Sequence, residues 1–258
     1  MDYIEINRQA WNKRTEVHVD SKFYDVEKFL KGACSLNPIE LIEVGNVKGK
    51  SLLHLQCHFG QDTLSWARLG ASVTGVDLSS KAIEYAKKLT IQTGLKAEFI
   101  NQDVYAFGIK NQQEFDVVYT SYGVLCWLND LDLWAKTVFD SLKVGGQVNL
   151  VEFHPFNDLL GGYSYFNNQQ PDIEYEGTYT ENCTGEKSTV VTWPHTMSDV
   201  IQALITAGIT IESFKEHVYS PYDCFEGLEL VAGHGYQMRF KEQKIPLIYS
   251  IKGKKLAL

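Results

Sequence analysis

Residues 52–70 read LLHLQCHFGQDTLSWARLG: an apolar run, a tight turn and an amphipathic helix in immediate succession. Such a unit presents the backbone N–H groups of the turn and the start of the helix, here Asp62 and Thr63, to whatever lies beyond the strand. A turn that cradles a pyrophosphate needs glycines spaced G-x-G-x-x-G, for the tight turn, the close backbone approach and the helix packing. This turn has only Gly60, with Gln56 and His58 where other glycines would stand. Glycine is needed only where the backbone takes positive φ or approaches a ligand closely. A ligand without a diphosphate is therefore the expectation.

Outward from this unit, strand and helix patterns alternate. Strands are predicted over 51–56, 72–76, 96–100, 115–120 and 146–153, and helices over 62–69, 79–93 and 132–142. The 79–93 helix has Ser79 or Ser80 as N-cap and Gly94 as its stop, with Ala82, Ala86, Leu89 and Thr93 along one face. A further helix in MSDVIQALITAG carries the stripe Val200, Ile201, Leu204 and Ile205, and strands over 209–214 and 247–252 bring the total to seven. This rhythm predicts an α/β fold with a doubly wound, mostly parallel sheet. Residues 1–45 have no place in the sheet and form an N-terminal helical extension; 46–258 form the main domain. Within it, 155–195 is an aromatic-rich insertion. There Ile173, Tyr175 and Tyr179 alternate with polar residues, and TVVTW follows the turn-like ENCTGEK, which predicts a β-hairpin.

At 258 residues the chain is long enough for one large core, and 44% hydrophobic with 22% charged residues is ordinary for a soluble enzyme. A net charge of -8 argues against nucleic acid or anionic lipid as partner. No apolar run approaches the ~20 residues of a membrane span, and the start lacks a signal-peptide pattern, so the expected location is cytoplasmic. Cys34, Cys57, Cys126, Cys183 and Cys224 are scattered without a C-x-x-C pair, which predicts reduced thiols and no metal site. His195 and His217 lack metal-ligand spacing, and Arg239, Lys241 and Lys244 read as solvated charges on a loop. The oligomeric expectation is monomer or homodimer.

Two carboxylates refine the ligand. Asp77 closes the second strand in VTGVDLS, where it can accept from both hydroxyls of a ribose; Asp103 closes the third in FINQDV, where it can accept from the exocyclic amine of adenine. Either alone is equally well an N-cap or turn residue. In series with the turn they describe an adenosine carrying a small zwitterionic tail.

In this order and spacing the chain resembles the class I S-adenosylmethionine-dependent methyltransferases of small-molecule type, through NRQAWNKRTEVH, LLHLQCHFGQDTLSWARLGASVTGVDLS, NQDV, EFDVVYTSYGVLCWL, LKVGGQVNLVE, HTMSDVIQALITAGITIESFKEH and PLIYSIKGKK. The resemblance implies S-adenosylmethionine as cofactor and S-adenosylhomocysteine as product. It implies that Gln56, Cys57, His58 and Gly60, with Asp62 and Thr63 at the helix start, hold the methionine portion. Asp77 and Leu78 would take the ribose, Asp103 and Val104 the adenine, and Ser121 and Tyr122 would line the cofactor and the acceptor side. His54, Gln56 and His58 replace the usual acid and two glycines, so the contact to the methionine amino group is altered or made by another residue.

Methyl transfer from a sulfonium is favourable, so placement and exclusion of water carry most of the catalysis and a base is optional. His154, at the end of VNLVEF, is the candidate base, against a turn histidine bonded to backbone; Tyr122 could orient the acceptor or be a core aromatic. Extensions of this kind fold over the cofactor as a lid in similar methyltransferases, which makes Trp11, Tyr24, Arg14 and His18 candidate ligand contacts. Two other readings compete: an NAD(P)-dependent oxidoreductase, weakened by the missing glycines and the absence of Tyr-x-x-x-Lys, and a non-catalytic nucleoside-binding protein, favoured by the altered turn. A nucleic-acid substrate is disfavoured by acidity and by TSYG in place of an Asn-Pro-Pro-Tyr type motif.

Overall fold

The computed structural model describes residues 2–223 and 225–257; Cys224 therefore lies outside the described residues. Three helices come first, α1 (Tyr3–His18), α2 (Val26–Leu30) and α3 (Pro38–Val44). The alternating part follows as β1 (Ser51–Leu55), α4 (Gln61–Arg68), β2 (Ser72–Asp77), α5 (Ser80–Thr93), β3 (Ala97–Asn101), α6 (Val104–Lys110), β4 (Phe115–Ser121), α7 (Leu131–Asp140) and β5 (Leu142–Phe153). Then come α8 (Phe156–Leu160), β6 (Asp172–Glu176), β7 (Ser188–Thr192), α9 (Met197–Thr206) and β8 (Ile209–His217). Two small hairpins, β9 (Glu229–Val231) with β10 (Gly235–Gln237) and β11 (Arg239–Phe240) with β12 (Gln243–Lys244), precede β13 (Ile248–Lys255).

The sheet runs β3-β2-β1-β4-β5-β13-β8. Its first five strands are parallel, and β13 is antiparallel to both of its neighbours. Helices on both faces explain why the central strands are continuous apolar runs rather than alternating ones. Leu52, Leu53, Leu55, Val117, Val118, Leu150 and Val151 have no exposed surface, each contributing about 1.5–3 kcal/mol of burial. The chain crosses to opposite sides after β1 and before β4, so the strand order reverses there and the carboxyl ends of β1 and β4 open a crevice.

Local chemistry sets the helix limits. The Ser79 hydroxyl accepts from Ala82 N at 3.0 Å to start α5, and Gly94 ends it in the left-handed region at φ 67°. Four expectations need correction. β1 stops at Leu55, because Gln56 already has φ 57°. The buried stripe of α9 is Val200, Ala203 and Leu204, while Ile205 is 50% exposed, since i, i+3, i+4 is the spacing that faces the sheet. Tyr179 lies in neither strand but in the connection of the β6–β7 hairpin, whose pairing runs from Asp172↔Thr192 to Glu176↔Ser188. Arg239, Lys241 and Lys244 sit on or between the strands of the β11–β12 hairpin, although exposed as expected. Among the described residues no helix is long and apolar enough to cross a membrane.

Candidate active site

The turn after β1 is held by backbone conformation first. Gln56, His58 and Gly60 all have positive φ, at 57°, 50° and 81°. Gly60 is obligatory: a Cβ there would lie 2.6 Å from the Phe99 ring. The other two use side chains to hold the turn. Gln56 Nε2 donates to Val124 O at 2.8 Å, tying the turn to the loop after β4. The His58 ring meets His18 of α1, Nε2 to Nδ1 at 2.9 Å, and His18 Nε2 continues to the Thr178 hydroxyl at 2.5 Å. Burial is the main cause that lowers both imidazoles, His18 to about 3 and His58 well below its ordinary value, so both are neutral.

Asp77 ends β2 beside this turn. Its carboxylate accepts from His58 N and Ser79 N, both at 2.8 Å, and burial nevertheless raises it to about 6. Asp103 is the N-cap of α6, with Oδ1 accepting from Tyr105 N at 3.1 Å and Ala106 N at 2.9 Å. The capping role is thus real, and Asp103 also borders a cavity. Gln56, Asp77, Leu78, Asp103 and Val104 all line one narrow cavity of about 50 Å³ that is partly open to solvent. Val76, Leu128 and the rings of Trp127, Trp193 and Tyr3 supply apolar walls, and Gln102 and Asn129 polar ones. Aromatic walls with carboxylates at two strand ends are chemistry suited to a flat base carrying a hydroxylated sugar. The buried Gln56 Oε1 has no hydrogen-bond partner and is free to accept from a ligand.

Several lining residues were not singled out in the sequence. Tyr3, Ile4 and Asn7 form one wall from α1. Their spacing with Trp11 marks one helix face, a signal that was available. Trp193 comes from the strand end after β7, and nothing local announces that it lines the same cavity as Asp103. Glu152 was also missed: its buried carboxylate accepts from Val124 N at 2.9 Å, Leu125 N at 3.1 Å and Phe153 N at 2.7 Å, and also from Gly123 N, which shapes the loop that carries Trp127.

Other predicted site residues lie elsewhere. Trp11 does not line the cavity; it packs against His58 and Trp127, with ring centroids at 5.3 and 5.2 Å. His18 is one layer behind the turn. Cys57 is buried against Phe59, Leu64 and Phe99 in the core. Thr63 holds the His54 ring, Oγ1 to Nδ1 at 2.8 Å, and burial lowers that imidazole to about 3. Asp62 accepts from the Ser35 hydroxyl at 2.6 Å. Ser121 is buried at the end of β4, and Tyr122 packs on Phe153 and Tyr222. His154 is the turn histidine of the alternative reading: Nδ1 accepts from Phe156 N at 3.1 Å and Nε2 pairs with Glu216 at 3.0 Å. Among the described residues no group of three or more His, Cys, Asp or Glu is arranged to hold a metal ion.

The strand order and the sequence of turn, Asp77 and Asp103 define the class I methyltransferase fold. Residues 52–146 match the family model described as a methyltransferase domain. The ubiquinone biosynthesis O-methyltransferase of Klebsiella pneumoniae is 30% identical over 134 residues, 50% of this chain and 55% of that protein; the chain spans about half the length of the curated relatives it matches. Among solved structures, an S-adenosylmethionine-dependent methyltransferase from Methanosarcina mazei superposes with TM-score 0.60 at 20% identity, covering 86% of this chain and 99% of that one. The DhpI complex with S-adenosylhomocysteine gives 0.59 at 16%, covering 99% and 98%. Residues 52–146 thus match a methyltransferase-domain model, and the chain has the fold of these S-adenosylmethionine-dependent methyltransferases.

Proposed function

We propose that the protein transfers a methyl group from S-adenosylmethionine to a small-molecule acceptor. The observation that carries this reading is the convergence of Gln56, Asp77, Leu78, Asp103 and Val104 on one cavity at the carboxyl ends of β1, β2 and β3. Asp77 takes the ribose hydroxyls, Asp103 and Val104 the adenine edge, and Trp127 covers the base. The 56–60 turn, with Asp62 at the start of α4, takes the methionine end. When bound, the cofactor supplies a methyl group activated by a sulfonium. The chain's own part is to orient that group and exclude water, with α1 and the residues after β7 closing the cavity from above.

Tyr122 belongs to the acceptor side in this reading. His154 is not given the part of a base, because both of its ring nitrogens are already hydrogen-bonded. A small acceptor, no nucleic acid, a cytoplasmic setting and a monomer or homodimer complete the reading. Its test is calorimetric titration with S-adenosylmethionine, S-adenosylhomocysteine and NADH, repeated on Asp77→Ala. Binding of both adenosyl ligands but not NADH, lost in the variant, is the expected result. Binding of NADH alone would replace this reading with the oxidoreductase one, and adenosyl binding without turnover of any acceptor would favour the non-catalytic one.

A further inference from the structure

Glu152, the last residue but one of β5, is only 5% exposed, and among the described residues its carboxylate is hydrogen-bonded by backbone N–H groups alone. Oε1 takes Gly123 N and Phe153 N, and Oε2 takes Val124 N and Leu125 N. Three of these donors are consecutive residues of the loop after β4. The chain enters that loop through Tyr122 and Gly123, both left-handed at φ 42° and 68°. A tyrosine holds that conformation only where its surroundings enforce it. Turned in this way, the three N–H groups converge on one carboxylate.

The carbonyls of the same loop are tied to the cavity. Val124 O accepts from Gln56 Nε2, Cys126 O from Trp193 N at 2.8 Å, and Leu128 O from His195 Nε2 at 2.7 Å. Gly123 O accepts from the indole Nε1 of Trp127 at 2.8 Å. The residue that Glu152 holds by its N–H therefore fixes the Trp127 ring by its carbonyl. Trp127, Leu128 and Asn129 line the cavity together with Gln56 and Trp193. Glu152 does not line it, and reaches a ligand there only through the loop.

We propose that Glu152 is a positioning residue for the adenosyl ligand: its carboxylate fixes residues 123–125 and, through Gly123 O, sets the Trp127 indole against the base. This rests on the methyltransferase reading above, which places the base at Trp127. The task requires a carboxylate. Glutamine keeps the length and one acceptor oxygen, but its NH2 group faces two N–H donors whichever way the amide is turned. Aspartate keeps both acceptor oxygens and withdraws them by one carbon–carbon bond.

The experiment uses the full chain and titrates S-adenosylhomocysteine and adenosine calorimetrically into the wild type, Glu152→Gln, Trp127→Leu and the double variant. Trp127→Leu should weaken both ligands about tenfold, the scale of a lost contact between an aromatic ring and a base. Glu152→Gln should weaken both by a similar factor. The double variant should then bind as Trp127→Leu does, because the support matters only while the indole is present. A Glu152 that merely stabilises the fold gives a different pattern: a lower urea midpoint with affinity kept, or two losses that multiply to about a hundredfold. Either pattern, or Trp127→Leu without effect, overturns the proposal. Glu152→Asp goes through the same cycle with its outcomes read the same way, so the test stays decisive if Glu152→Gln does not fold. Failure of S-adenosylhomocysteine to bind the wild type would instead overturn the methyltransferase reading.

Discussion

Gln56 and His58 occupy left-handed backbone that costs a non-glycine residue about 1–2 kcal/mol each. Gln56 offsets this through its bond to Val124 O, worth about 1 kcal/mol. Gln56→Gly is therefore expected to change stability by no more than about 1 kcal/mol in urea denaturation while lowering S-adenosylhomocysteine affinity, because the loop after β4 loses its tie. Both positions stood out in the sequence as departures from a glycine-rich turn. What those side chains do was not legible, since His58 answers to His18, forty residues upstream, and Gln56 to Val124. The buried histidines also set an acid response. His54 is held at about 3, against about 6.5 in an unfolded chain. The unfolded chain thus binds the extra proton below pH 6.5; the stability gained from the neutral ring is whole above that pH and falls by about 1.4 kcal/mol per unit down to about 3. Raised carboxyls such as Asp77 act in the opposite sense. The measurable quantity is accordingly the difference between wild type and His54→Gln, whose urea midpoints should converge as pH falls from 7 to 5.

At the scale of elements, α1 is fastened to three others. Asn7 donates to Val191 O at 2.7 Å and accepts from Val191 N at 2.9 Å on β7; Asn12 accepts from the Ser79 hydroxyl at 2.8 Å at the head of α5; Arg14 pairs with Glu176 of β6 at 2.6 Å. Asn7→Ala leaves two buried backbone groups unpaired and is expected to destabilise by about 2 kcal/mol, read by thermal or urea unfolding. Gly60→Ala, which meets both positive φ and the Phe99 ring, should cost about 2–4 kcal/mol. The strands of the sheet, α5 with its caps and the β6–β7 hairpin were readable because period and capping are local properties. α6 was not, because VYAFGIK spans only seven residues and packs on α7 rather than showing a clear stripe of its own. α1 was readable as a helix, but its ties were not: each joins residues more than sixty apart.

Across the whole molecule, the order β3-β2-β1-β4-β5-β13-β8 follows from parallel crossovers that reverse once, and the sequence placed its turn at that reversal and its two aspartates at the ends of the next two strands outward. The cavity itself draws on four distant parts of the chain: α1, the ends of β1 to β3, the loop after β4 that carries Trp127, and the residue after β7. Only the part at the ends of β1 to β3 carries a motif. S-adenosylhomocysteine at a hundred times its dissociation constant should stabilise the protein by about 2.7 kcal/mol, and Asp77→Ala should remove that gain in a thermal scan. The wall contributed by α1 has a temporal consequence. The opening to solvent is narrow and bounded by α1, so entry of a ligand as large as an adenosyl group is expected to require the ties at Asn7, Asn12 and Arg14 to loosen, pacing its arrival by an internal opening rather than by encounter. In stopped-flow mixing, the observed association rate is expected to level off at high ligand concentration, and Asn7→Ala to raise the plateau.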